Sequence, residues 1–197
     1  MNILVTGFEP FQNNQKNPTQ EIVRLLPKGI KGHKIIPIEL PVLYNESFSR
    51  LKTEIEIHKP DVVICLGLAA GRKGITPERV AINVNDSTHP DNSGTVYIDE
   101  IIIEEGNNAY FSTLPIREMI TIMNEKKIDC SISNSAGLYV CNDIMYRLLH
   151  YIDENKLNIM AGFIHVPLMS EQEHKNLYHM PLPQILEGII DSIKTCL

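Results

Sequence analysis

Apolar and polar residues along this chain alternate in blocks that predict strands and helices in turn. The stretches "NILVTG" (2–7), "PDVVICLGLAAG" (60–71) and "IMAGFIHVP" (159–167) are nearly continuous apolar runs, typical of buried strands. "HKIIPIELPV" (33–42) predicts another strand, and its prolines favour an edge position. Two shorter stretches, "RVAINVND" (79–86) and "DCSISNS" (129–135), are also predicted to be strands.

Helices are predicted where apolar residues recur every three or four positions. The clearest stripe joins Tyr44, Phe48, Leu51 and Ile55. Similar spacing predicts four more helices, whose apolar positions are Ile22, Leu25 and Leu26; Ile116, Met119, Ile120 and Met123; Val140, Ile144, Leu148 and Ile152; and Leu182, Ile185, Leu186, Ile189 and Ile193. Alternating strands and helices predict an α/β sandwich around a mostly parallel sheet, in a single domain over residues 1–197.

Two segments fall outside this alternation. The loop from Phe8 to Pro18 is rich in Asn, Gln and Pro. The stretch Ser87–Ser112 is long for an irregular loop, which leaves open a hairpin excursion, a functional flap, a subunit contact or a solvated loop. In parallel sheets the functional groups gather at the carboxyl ends of strands, which here follow Thr6, Leu66 and His165.

Composition and charge exclude several classes of function. The net charge of -6 and pI near 5.6 argue against a nucleic-acid or anionic-membrane partner, and no apolar run is long enough to span a membrane. The start "MNILVTGFEP" lacks a basic segment, so we expect no signal peptide. Four irregularly spaced cysteines then predict reduced thiols in the cytoplasm. No His/Cys/Asp cluster has metal-ligand spacing, so we expect no metal.

Cys141 is the candidate nucleophile among the cysteines. It follows the turn-forming run "SNSAGL" (133–138) and stands where a helix is predicted to begin. The free N–H groups and partial positive charge of a helix N-terminus lower the pKa of a thiol and can hold an oxyanion. The alternative is a buried thiol packed among Val140, Ile144 and Met145. Cys65 is predicted to be a core residue, Cys130 to be structural and Cys196 to be inert or exposed.

His165 and Glu78 are the candidate partners of this cysteine. His165 ends an apolar strand, where it would face the same rim as Cys141 and act as its base; the alternative is a hidden structural histidine. Glu78, in "ITPERVAIN", would orient the imidazole; the alternative is an exposed ion pair with Arg79. Polar or helical contexts predict exposure for the remaining histidines, His33, His58, His89, His150, His174 and His179.

Phe8 and Phe11 are candidate ligand-binding residues. They lie three apart just after a strand, where two exposed phenylalanines would be costly unless a ligand or a subunit covered them. Their rings would suit the faces of a small flat ligand, while a few backbone groups would satisfy its polar edge.

Six blocks of the sequence closely resemble the pyroglutamyl-peptidase I (pyrrolidone-carboxylate peptidase) family of cysteine exopeptidases. They are "GFEPF" (7–11), "NP" (17–18), "ITPERVAINVND" (75–86), "PDN" (90–92), "SNSAGLYVCN" (133–142) and "FIHVP" (163–167). The blocks span nearly the whole chain in the order and spacing of the family.

The resemblance implies a three-layer α/β/α sandwich that removes an N-terminal pyroglutamyl residue from peptides through a thioester acyl-enzyme. The triad of the family matches Cys141, His165 and Glu78, and its substrate pocket matches Phe8, Phe11, Tyr139 and Val140. It also implies a cytoplasmic homotetramer that needs no metal or organic cofactor. A neutral lactam suits such a pocket better than an ordinary amino terminus, whose charge would have to be desolvated.

Two departures from the family pattern concern the substrate region. Ser87-Thr88 stands where many relatives have Ala-Arg, and the arginine at that position is associated with the oxyanion region. Backbone N–H groups would therefore contribute more to oxyanion stabilisation here. Leu68 replaces a glutamine and cannot hydrogen-bond a substrate through its side chain. These differences leave open a related amidase acting on another lactam or amide. A binding protein that has lost catalysis is a further alternative.

Overall fold

The computed structural model describes residues 1–11, 15–172 and 176–197. Along these residues the elements are β1 (Asn2–Phe8), α1 (Pro18–Leu25), β2 (Gly29–Ile30), β3 (His33–Leu40), α2 (Glu46–His58), β4 (Val62–Leu68), β5 (Thr76–Pro77), β6 (Val80–Ile82), β7 (Asn85–Ser87), β8 (Tyr97–Glu100), β9 (Ala109–Phe111), α3 (Ile116–Glu125), α4 (Val140–Glu154), β10 (Met160–Val166), β11 (Leu168–Met169), β12 (His179–Met180) and α5 (Leu182–Lys194). Among the described residues, no helix combines the length and apolar character needed to cross a membrane.

The central sheet has six strands in the order β2-β3-β1-β4-β10-β5. Its four inner strands run parallel, and the two-residue strands β2 and β5 pair antiparallel at the two edges. The predicted α/β fold with a mostly parallel sheet is therefore confirmed. Strand β2 covers only His33 and Lys34 of β3, so Pro37 lies where a missing N–H breaks no pairing with β2.

Helices cover both faces of this sheet and make three layers. One face packs against α1, α3 and α5 through residues such as Ile22, Met119 and Ile189. The other face packs against α2 and α4 through residues such as Leu51 and Ile144. Strands β1, β4 and β10 are buried on both sides, which explains why their apolar runs are continuous rather than alternating.

Two sequence predictions about strands need correction. "DCSISNS" (129–135) forms no strand and contributes only two isolated bridges, Ile75 with Cys130 and Glu78 with Ser133. "RVAINVND" is broken into β6 and β7, which pair antiparallel with β9 and β8. The excursion 87–112 therefore folds back on the chain just before it in short ladders. Both misassigned segments lie outside the central sheet, where local pattern carries little information about pairing.

Alternation along β4 and β10 decides which side chains share a face. Leu66 and Ile164 belong to the core under α1, α3 and α5, whereas Cys65 and Phe163 belong to the core under α2 and α4. Successive side chains of a strand point to opposite faces. His165 therefore points to the same face as Phe163, the face covered by α4.

Candidate active site

Cys141 is the second residue of α4, which begins at Val140. Tyr139 is the N-cap and gives the helix no side-chain hydrogen bond, while its carbonyl accepts from the Asn142 and Asp143 N–H groups at 2.9 and 3.2 Å. The preceding turn is built from serine hydrogen bonds and from Gly137, whose φ of 78° favours glycine. The predicted helix start beside Cys141 is thus present. The Cys141 side chain is half-buried.

The Cys141 sulfur lies over strand β4 at Gly67. A β-carbon built on Gly67 would be only 3.0 Å from Cys141 Sγ and 2.6 Å from Phe163 Cζ. Gly67 pairs in register with His165 of the neighbouring parallel strand. Because paired residues of parallel strands direct their side chains to the same face, the Cys141 sulfur and the His165 imidazole lie on one side of the sheet at adjacent strands.

His165 and Glu78 are in direct contact. His165 Nδ1 is 2.6 Å from Glu78 Oε1, and both side chains are buried. The edge strand β5 makes this possible, because Thr76 pairs with His165 and the Glu78 N–H donates to the Phe163 carbonyl at 2.9 Å. A carboxylate accepts hydrogen bonds only, so Nδ1 carries the proton and Nε2 is left as the basic nitrogen.

The alternative reading of Glu78 as an exposed partner of Arg79 is wrong. Glu78 is fully buried, and Arg79 Nε instead donates to Asn134 Oδ1 at 2.8 Å. The cation beside Glu78 is Arg72, whose Nη1 contacts the same Glu78 Oε1 that His165 uses.

Arg72 is the site residue that sequence reasoning missed. It lies in the glycine-flanked stretch "GRKG" (71–74) that follows β4. A basic residue just after the carboxyl end of a buried parallel strand was the available signal. Besides Glu78, Arg72 Nη1 donates to Thr76 Oγ1 at 3.0 Å, and Nη2 donates to the Ser135 carbonyl at 2.8 Å. The loop after β4 is therefore tied both to the acid and to the turn that precedes Cys141.

Burial and charge set the protonation states of these groups. Burial raises the pKa of Glu78, but His165 and Arg72 outweigh it and hold that pKa below its ordinary value. Burial lowers the pKa of His165 below its ordinary value, although Glu78 offsets part of the effect. Burial, with a further contribution from Glu78, raises the pKa of Cys141 to about 12. Both shifts favour a thiol and an uncharged imidazole over the ion pair, opposite to the thiolate-forming effect expected of the helix N-terminus.

A cavity opens beside the Cys141 thiol. Its lining consists of Phe8, Phe11, Asn17, Val42, Leu68, Tyr139, Val140 and Cys141. The structure thus brings the four candidate ligand-binding residues together at the candidate nucleophile. Phe8 is the last residue of β1 and is buried, not exposed on a loop, whereas Phe11 is half-buried with its ring centroid 6.4 Å from that of Tyr139.

The "PDN" block (90–92) is hydrogen-bonded to residues at and beside the cavity lining. Asn92 Nδ2 donates to Glu9 Oε1 at 2.8 Å and to the Pro10 carbonyl at 3.1 Å, which holds the segment between the two phenylalanines. The Tyr139 hydroxyl donates to the Pro90 carbonyl at 2.9 Å. Two distant blocks of the sequence therefore meet at the cavity wall.

The two departures from the family pattern, Leu68 and Ser87-Thr88, lie at different places relative to the cavity. Leu68 lines the cavity and adds only apolar surface to it. Ser87 ends β7, its hydroxyl accepts from the His89 N–H at 3.2 Å, and Thr88 is exposed. In the described part of the chain, neither of these two residues belongs to the cavity lining.

The remaining cysteines and histidines fall elsewhere. Cys65 is a core residue as predicted, Cys130 is half-buried, and Cys196 is buried rather than exposed. Of the other histidines that the structure describes, only His89 is exposed, while the prediction of exposure fails for the half-buried His33, His58, His150 and His179. His174 lies outside the described residues. Within residues 1–11, 15–172 and 176–197, no group of three or more His, Cys, Asp or Glu is placed to hold a metal ion.

Known proteins resemble this chain over its whole length. A family model described as "Pyroglutamyl peptidase" matches residues 1–197. The pyrrolidone-carboxylate peptidase of Thermosipho africanus is 46% identical, covering 100% of this chain and 97% of that protein. The protein of the same name from Brachyspira hyodysenteriae is 45% identical, with 100% and 99% covered.

Solved structures of pyroglutamyl peptidases resemble this chain in fold as well as in sequence. The crystal structure of pyroglutamyl peptidase I from Bacillus amyloliquefaciens superposes with a TM-score of 0.96 at 35% identity, covering 98% of this chain and 95% of that one. A mutant pyrrolidone carboxyl peptidase from Pyrococcus furiosus has a TM-score of 0.95 at 39% identity, with 99% and 97% covered.

Proposed function

This chain belongs to the pyroglutamyl peptidase family of cysteine peptidases, and we propose that it hydrolyses the amide bond after an N-terminal pyroglutamyl residue with Cys141 as nucleophile. One observation carries the assignment of residues. The buried His165–Glu78 pair shares a sheet face with the Cys141 sulfur, and that sulfur borders a cavity with aromatic walls. Nucleophile, base and orienting acid are the three components that acyl transfer requires.

The reaction begins with the thiol and the uncharged imidazole. As the Cys141 sulfur attacks the pyroglutamyl carbonyl carbon, its proton passes to His165 Nε2, and Glu78 stabilises the imidazolium that forms. N–H groups of the first turn of α4 hold the tetrahedral oxyanion. The imidazolium then protonates the leaving amine as the C–N bond breaks, which leaves a thioester.

Hydrolysis of the thioester completes the cycle. Water attacks the carbonyl carbon while His165 accepts its proton, and that proton returns to the sulfur as the C–S bond breaks. Free pyroglutamate and the Cys141 thiol are the products. The bond changes balance without any oxidant, reductant or metal.

The cavity lining favours a small uncharged ring. Phe8, Phe11, Val42 and Val140 offer apolar surface, and the Asn17 amide is a polar side chain of the lining. A free amino terminus would lose its hydration on entering such a cavity, at a cost of several kcal/mol, unless an anion paired with it. The uncharged lactam avoids that cost, which is the physical basis for the proposed selectivity.

Hydrolysis of a fluorogenic pyroglutamyl amide tests the assignment of Cys141. We expect Cys141→Ala to lower kcat by at least about 10³-fold, because no other group replaces the attacking sulfur. Cys130→Ala, which removes another half-buried thiol, is the matched control and should retain wild-type activity. Substantial turnover by Cys141→Ala or Cys141→Ser would exclude Cys141 as nucleophile.

The alternative functions give different outcomes in related assays. Leu68 in the lining favours, as second candidate, an amidase that accepts a less polar ring, and a panel of pyroglutamyl, prolyl, alanyl and glutaminyl amides separates the two. A non-catalytic binding protein would label slowly and uniformly with iodoacetamide. In the proposed enzyme, His165 assists alkylation of Cys141 ahead of Cys65, Cys130 and Cys196.

We also propose that the chain works on pyroglutamylated peptides in the cytoplasm as a homo-oligomer, a tetramer by family resemblance. All four cysteines are free thiols, which suits a reducing compartment. The excursion 87–112 exposes large apolar side chains, among them Val96, Ile98, Ile101 and Phe111, that a second copy would cover. Sedimentation at micromolar concentration checks the assembly, and a monomer would contradict it.

A further inference from the structure

We propose that Arg72 is a positioning residue that favours the uncharged form of His165 by sharing one Glu78 oxygen with the imidazole. The inference rests on the function proposed above. Arg72 Nη1 and His165 Nδ1 both contact Glu78 Oε1. Since each contact is at most about 3 Å long, the guanidinium and a protonated imidazole would be no more than about 6 Å apart.

The Arg72 guanidinium is a fixed charge, not a mobile surface cation. Thr76 Oγ1 and the Ser135 carbonyl accept from it at 3.0 and 2.8 Å, in addition to the contact with Glu78. Its side chain is 29% exposed, so most of it is shielded from water. Fixing the Arg72 side chain against three partners costs conformational entropy. The contacts that hold it therefore keep the guanidinium at one position beside Glu78.

The charged and titratable groups that face His165 come from three directions. Glu78 approaches from the segment after β5, Arg72 from the loop after β4, and the Cys141 thiol from the start of α4. On β4 the neighbouring titratable group is the thiol of Cys65, which is fully buried. Arg72 thus offsets part of the Glu78 charge, and without it only burial would oppose the effect of the carboxylate on the imidazole.

The opposing charges of Arg72 and Glu78 act on both reacting groups, the His165 imidazole and the Cys141 thiol. Arg72 opposes the effect of Glu78 on the pKa of His165, which favours a free Nε2 able to accept the thiol proton. It also opposes the effect of Glu78 on the pKa of Cys141, which helps the sulfur as negative charge develops. Glu78 alone would hold the imidazolium too firmly and repel the forming thiolate.

The pH dependence of kcat/KM separates this role from a structural one. Its acid limb reports protonation of His165, the base of the free enzyme. In Arg72→Met we expect this limb to move to higher pH by about one unit, the shift for losing one charge at this distance under partial screening. Arg72→Lys keeps the charge and should stay close to wild type. Lys73→Met removes a charge from the exposed neighbour and serves as the control.

Titration of the His165 ring by NMR gives a readout independent of turnover. In a Cys141→Ala background, the ¹³Cε1 resonance, assigned with His165→Asn, should titrate at higher pH when Arg72→Met is added. Arg72→Gln, which can still donate to the Ser135 carbonyl, gives the same test if the Met variant does not fold. A midpoint that stays or moves to lower pH in a folded variant overturns the proposal. If the midpoint rises but wild type does not cleave pyroglutamyl amides, the role of Arg72 stands and the proposed substrate falls.

Discussion

Gly67→Ala is the change that most directly probes the arrangement of the site. Gly67 is buried in β4, and its φ lies outside the left-handed region, so alanine would not strain the backbone. The added methyl would lie 2.6 Å from Phe163 Cζ and 3.0 Å from Cys141 Sγ. The substitution therefore acts through packing against the residues that surround the candidate catalytic pair.

The size of the effect follows from these distances. Ordinary contacts begin near 3.4 Å, so the Phe163 ring has to move by nearly 1 Å. That ring is fully buried, and its centroid is 4.8 Å from that of His165, so the imidazole is disturbed as well. Overpacking costs about 1–3 kcal/mol of unfolding free energy. A shift of about 1 Å in a reacting group costs about 10²-fold in rate.

Two measurements on the same variant test this reasoning. Thermal unfolding followed by circular dichroism should show a Tm lowered by about 2–12 °C. kcat/KM on a pyroglutamyl amide should fall by about 10²-fold. Gly29→Ala in the short edge strand β2, where a methyl would meet only the His33 carbonyl oxygen at 3.3 Å, is the control and should retain wild-type activity. A Gly67→Ala enzyme with wild-type kcat/KM would refute the position assigned to the Cys141 sulfur.

Two further substitutions test the cavity wall and the orienting acid. Asn92→Ala removes the hydrogen bonds to Glu9 and Pro10, which hold the segment beside the cavity. Losing about 1 kcal/mol of substrate-binding free energy should raise KM about 5-fold in steady-state assays, with kcat nearly unchanged. An unchanged KM would argue against this role. Glu78→Gln should lower kcat/KM by about 10²-fold, less than the roughly 10⁴-fold expected of His165→Ala, because orientation is less direct than proton transfer. A larger loss in Glu78→Gln at equal stability would contradict that order.

The sequence alone determined the fold class and the local setting of the nucleophile. Continuous apolar runs predicted β1, β4 and β10 because strands covered on both faces have no polar side to display. The turn-forming run before Cys141 predicted the start of α4 because caps and turns depend on a few neighbouring residues. These features depend on local chemistry, so pattern and propensity were sufficient.

Only the tertiary structure decided which groups meet and how they are charged. Glu78 and His165 are 87 positions apart, and their contact depends on the register of β5 against β10. Local spacing instead suggested Arg79 as the partner of Glu78 and gave no sign that Arg72 would share its oxygen. Position at a helix terminus predicted a lowered thiol pKa, whereas burial raises the pKa of Cys141 to about 12. Long-range register and the surrounding dielectric are properties of the folded molecule, and no short stretch of sequence contains them.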